Sequence, residues 1–75
     1  MTQVTYTVVV EKGRKNYGAY VPDLPGCVAV GDTVDEVLQL IRQAIVLHIR
    51  GLREDGDPVP PPTTISRKVR ANVAA

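Results

Sequence analysis

One cysteine, Cys27, and one histidine, His48, are the chain's only thiol and imidazole. Paired and held by a third group, they would be a nucleophile and its base. Packing accounts for both more simply. Cys27 opens the apolar run Cys27-Val28-Ala29-Val30 and reads as a small buried residue at a strand start. His48 falls between Ile45 and Leu52 on an apolar stripe and reads as a packed or interface histidine. The acids are Glu11, Asp23, Asp32, Asp35, Glu36, Glu54, Asp55 and Asp57. A two-metal nuclease site needs several carboxylates converging on ions about 4 Å apart. Here Asp23 and Asp32 fall in turns, Asp35 and Glu36 at a helix start, and none takes an inward strand position. No Cys/His cluster has zinc-ligand spacing. The expectation is no catalytic residue, no metal and no cofactor.

The bulk properties agree. Seventy-five residues make one small domain, 1–75. A domain of that size buries only about 60% of its unfolded surface and is marginal alone. With no disulfide available, oligomerisation is the remaining common means of support. A net charge of +1 argues against a dedicated nucleic-acid binder. The charge is uneven, with Arg67, Lys68 and Arg70 close together and no acid among them, and Lys12, Arg14 and Lys15 beside Glu11. Both groups read as solvated hairpin and edge-strand charges, which discourage edge-to-edge aggregation. There is no signal peptide and no membrane-spanning run, so a cytoplasmic protein with a reduced thiol is expected.

The elements that must position these residues follow from periodicity. Val4, Tyr6, Val8 and Val10 share one face of a first strand. Residues 11–16 form a polar hairpin loop, and Tyr17 to Val21 make the second strand, with Gly18 a candidate bulge or point of close backbone approach. Pro22-Asp23-Leu24-Pro25-Gly26 cannot continue that strand, because each proline removes a donor and Pro-Gly turns the chain. Cys27–Val30 is a third strand, closed by Gly31-Asp32. Thr33 with Glu36 three residues on is a capping-box pattern, with Asp35 and Glu36 in the first helical turn. Val34, Val37, Leu38, Ile41, Ile45, Ile49 and Leu52 repeat at helical spacing. Leu40, Ala44 and Leu47 widen the apolar arc beyond one sheet face, so Leu40, Ala44, Leu47 and His48 are expected at a subunit interface. Gly56 and Pro58 stop the helix. Residues 57–62 form a proline-rich connector near polyproline geometry. Ile65, Val69, Ala71 and Val73 alternate with Ser66, Lys68, Arg70 and Asn72 as a half-buried final strand, with Arg67 breaking the apolar side once. The order β-β-β-α-β predicts an α+β domain: one antiparallel or mixed sheet with a single long helix on one face.

Tyr20-Val21-Pro22-Asp23-Leu24-Pro25-Gly26-Cys27, then Gly31-Asp32-Thr33 with Asp35 and Glu36, then Val59-Pro60-Pro61-Pro62, resemble the core motifs of the HicB-like antitoxins over residues 4–73. The motif residues are Pro22, Asp23, Leu24, Pro25, Gly26, Cys27, Gly31, Asp32, Thr33 and Glu36. The resemblance implies a degenerate ribonuclease H-like fold without catalytic carboxylates. It implies a partner: a small HicA-type toxin that cuts mRNA. Many members add a C-terminal DNA-binding domain; none is expected here, and DNA is not an expected partner.

The chain is therefore expected to mask a toxin sterically, as a dimer or larger homo-oligomer. Tyr17, Tyr20, Asp23 and Leu24 are the candidate contact residues, since tyrosines suit interfaces and a double-proline loop is pre-ordered. A nucleic-acid-binding regulator using Arg67, Lys68 and Arg70, or an interaction module without a toxin, are the alternatives.

Overall fold

The structure, a computed structural model, describes residues 3–74. Strands β1 (Val9–Lys12), β2 (Tyr17–Tyr20) and β3 (Val28–Gly31) precede one long helix, α1 (Val34–Glu54). The strands form an antiparallel sheet in the order β1-β2-β3, with α1 packed against β2 and β3. This is the expected α+β arrangement.

Register decides which residues meet the helix. Val10 lies opposite Ala19, Ala19 opposite Ala29, and Tyr17 opposite Gly31. With side chains alternating along each strand, these residues share the inner face. The core is Tyr6, Ala19, Val21, Leu24, Cys27, Val37 and Ile41, with Val8, Val10, Tyr17, Ile45 and Ile49 packed against it. Small residues on the inner face bring the helix close. A Cβ on Gly31 would stand 2.9 Å from the Val37 backbone nitrogen, so glycine is needed there for packing.

Both helix ends are chemically defined. Thr33 is extended and its hydroxyl accepts the Glu36 N–H at 3.0 Å, with Asp35 and Glu36 in the first turn, as the capping pattern predicted. At the other end Gly56 adopts φ +73°. Its N–H donates to Arg53 O, and the Asp57 N–H donates to Leu52 O at 2.8 Å. That pair of bonds is a Schellman cap, which requires the left-handed conformation at Gly56.

Three expectations change. The first strand, expected at residues 4–10, pairs only over Val9–Lys12, because β2 gives it no partner before Val9. Gly18 is not a bulge: the ladder runs through it in continuous register. The final strand does not join this sheet. Beyond the connector, residues 65–74 are extended, form no strand and are exposed, with Ile65, Val69 and Val73 showing 70%, 87% and 86% of their surface. The radius of gyration is 14.9 Å, against about 11 Å for a compact chain of this length. The alternating pattern was real, but a strand also needs a neighbour for its backbone groups, and the connector directs this segment away from the body.

Candidate partner-binding surface

The loop between β2 and β3 is a built corner. Leu24 N–H donates to Val21 O, Cys27 N–H to Leu24 O, and Val21 N–H to Cys27 O. Gly26, at φ +86°, completes the second turn where a side chain would be strained. These bonds turn Leu24 inward, where it is fully buried. The expectation that Leu24 meets a partner is therefore corrected: it is a core residue, and its side chain is unavailable at the surface.

Asp23 is committed as well. One carboxylate oxygen accepts the backbone N–H groups of Thr63 and Thr64, both at 3.0 Å. The other accepts their hydroxyls, at 3.0 and 2.8 Å. Tyr6 Oη donates to Pro60 O and Thr7 Oγ1 to Thr64 O, so three side chains fasten the connector to the body. The Thr64 backbone N–H is the main cause that holds the Asp23 carboxyl below its ordinary value of 3.8, with the threonine hydroxyls adding to it against partial desolvation. Because the folded value is depressed, the clamp's contribution is complete above that ordinary value and is lost as pH falls through the folded one. The Thr63 and Thr64 amide resonances should thus titrate with a midpoint below 3.8. Asp23→Asn should displace them already at neutral pH. Titration of these amides at or above ordinary carboxylate values would refute the clamp.

The opposite, outer face of the sheet is apolar and open. Val28 and Val30 are 62% and 61% exposed, and Tyr20 is 40% exposed. Tyr20 lies directly opposite Val28 and Val9, and Gly18 directly opposite Val30 and Glu11, so these residues are contiguous. Gly18 has no side chain to fill its place, and a Cβ there would meet nothing within 4 Å. The result is a shallow hollow of about 440 Å³, lined among others by Glu11, Lys12, Asn16, Gly18, Tyr20 and Val30. Apolar side chains where a one-sided sheet normally shows polar ones mark a contact surface. Tyr17, on the inner face, packs half-buried against the core instead.

On α1, Ala44 packs against the core, Leu40 and His48 are half-buried, and Leu47 is 62% exposed beside the exposed Val46. Burial pushes the Cys27 thiol up, the opposite of what a nucleophile needs. Among the described residues no group of His, Cys, Asp or Glu could hold a metal ion, and no helix is long and apolar enough to cross a membrane. Sequence reasoning missed the Thr63–Thr64 clamp, which joins residues 40 apart in the chain. It also missed the outward turn of Val28 and Val30, although their alternation with Cys27 and Ala29 carried the signal.

A 14.9 kDa protein from the rep-hol intergenic region of Haemophilus phage HP1 is 36% identical over 64 residues, covering 85% of this chain and 48% of the phage protein. The chain thus spans about half the length of that relative. A UPF0150 protein of Synechocystis is 45% identical over 56 residues, covering 73% of this chain and 71% of its own length. A UPF0150 protein of Thermoplasma acidophilum is 38% identical over 56 residues, covering 73% and 81%. No solved structure matches. The model of the HicB-like antitoxins of bacterial toxin–antitoxin systems matches residues 6–73, which take in the clamped corner, the open sheet face and the helix, and the chain belongs to that family.

Proposed function

We propose that this chain binds and neutralises a small HicA-type, mRNA-cleaving toxin by covering its RNA-binding face. The observation that supports it is the open outer face of β2 and β3, where Tyr20, Val28 and Val30 surround the hollow over Gly18. A tyrosine beside a concave apolar floor is the usual centre of a protein–protein contact. A toxin that holds RNA should be basic, and Glu11 at the rim with Asp32, Asp35 and Glu36 near the start of α1 would favour its approach. Tyr20 carries the contact in this reading. Asp23 and Leu24 act behind it, fixing the corner from which β3 starts, and Tyr17 anchors β2 to the core. The protein acts without catalysis, in the cytoplasm, on the degenerate ribonuclease H-like fold that the resemblance implies.

The test is co-expression of the tagged chain with its genomic neighbour, read by growth and by pull-down. The expected result is growth arrest by the neighbour alone, relief by this chain, and a complex that survives raised salt. A neighbour that is neither toxic nor captured would overturn the reading. Steeply salt-dependent binding of nucleic acid through the exposed Arg67, Lys68 and Arg70 would replace it with a regulatory one.

A further inference from the structure

Two extended segments of this chain lack backbone partners. Outside the helix and the sheet ladder, no backbone-to-backbone hydrogen bond among the described residues involves residues 3–8 or 58–74. Residues 3–8 run into β1, which is an edge strand, so this stretch and the outer side of β1 form one open edge. Tyr6 within it is buried and Thr7 and Val8 are half-buried. Backbone N–H and C=O groups in such surroundings are normally paired, because leaving them unmet costs about as much as a lost hydrogen bond. The other segment, residues 65–74, is extended, alternates apolar and polar side chains apart from Arg67, and is exposed throughout. Both stretches span about 33 Å at roughly 3.3 Å per residue, so each could cover the other along its length.

Within one copy they approach only at the arm's root, where Tyr6 Oη donates to Pro60 O and Thr7 Oγ1 to Thr64 O; no backbone bond joins residues 3–8 to residues 65–74. The connector leaves α1 through Pro58, Pro60, Pro61 and Pro62, which hold it stiff, and Asp23 then grips Thr63 and Thr64. That grip fixes the point at which residues 65–74 depart, and from it they project away from the body. A stiff, anchored hinge followed by an unpaired strand is the arrangement from which elements exchange between identical chains.

We propose that residues 65–74 of one copy pair as a fourth strand with the open edge of residues 3–12 of a second copy, and reciprocally, so that the chain is a strand-exchanged homodimer. Ile65, Val69, Ala71 and Val73 would then face the partner's body, Arg67 interrupting that side once near the arm's root, with Ser66, Lys68, Arg70 and Asn72 on the wet side. The exchange supplies the support that a domain this small lacks, and it removes two exposed strand edges at once. It is independent of the toxin reading, since it needs only this chain.

The test uses the full chain and the triple variant Ile65→Asp, Val69→Asp and Val73→Asp, whose side chains are exposed in one copy and so do not disturb its fold. Light scattering should give twice the chain mass for the natural sequence and the single mass for the variant. Amide hydrogen exchange at residues 4–8 should be slow in the natural protein and fast in the variant, with α1 protected in both. Three results would overturn exchange: a monomeric natural chain, including one with residues 4–8 protected by its own arm; a dimer whose residues 4–8 exchange freely; or a variant that stays dimeric.

Discussion

Leu24→Ala is expected to cost about 2–5 kcal/mol of folding stability. Leu24 is fully buried, and it plugs the core from within a loop whose backbone bonds hold it there. Truncation leaves a cavity that the loop cannot collapse to fill, because Pro22 and Pro25 fix its path. At about 0.05–0.15 kcal/mol per residue, a domain of 75 residues has roughly 4–11 kcal/mol in total. The single change thus removes between a fifth and all of it. For a domain of this size that is a fall of about 8–40 °C in Tm, read by circular dichroism. Truncating an exposed apolar residue such as Val28 should leave Tm nearly unchanged. A drop below about 5 °C for Leu24→Ala would show that the corner is not part of the core.

The same residue shows where reading the sequence stops. A leucine between two prolines, in a segment that cannot be strand or helix, reads as an exposed loop tip. What buries it is a pair of successive turns, Val21 to Leu24 and Leu24 to Cys27, whose bonds fold the loop under the sheet. Local signals were sufficient where the cause was local. Thr33 with Glu36, Gly56 with its left-handed backbone, and the spacing from Val37 to Ile49 all depend on residues within a turn or two of each other. Pairing was not legible, because it depends on what lies beside a segment. The alternation at residues 65–73, broken only at Arg67, reads as a strand just as that at 4–10 does. Only the second has a strand next to it, and then only from Val9 onward. The Asp23 clamp is a further case: an aspartate in a turn explains itself by local hydrogen bonding. Its partners turn out to lie at the far end of the connector.

If the proposed toxin binds the open sheet face, Gly18→Arg should leave the fold intact and reduce its capture at least about thirtyfold, equivalent to roughly 2 kcal/mol at an interface centre. Gly18 sits in β2 without a positive φ, and an added Cβ meets open space, so the monomer has no objection to a side chain there. Glycine inside a strand is a net cost of roughly 0.5–1 kcal/mol relative to alanine, so Gly18→Ala should slightly stabilise the isolated protein. A residue that folding does not require, on an outer face crowded by Val28, Val30 and Tyr20, is explained by the hollow it leaves. Arginine fills that hollow and sets a cation against the basic partner proposed above, whereas Gly18→Gln fills it by shape alone. If shape decides, both variants lose capture; if charge decides, only arginine does. Either pattern, with Tm unchanged, places the partner over β2 and β3. Capture undiminished in a folded Gly18→Arg protein would move the contact off this face, leaving the exposed Val46 and Leu47 on α1 as the next surface to substitute.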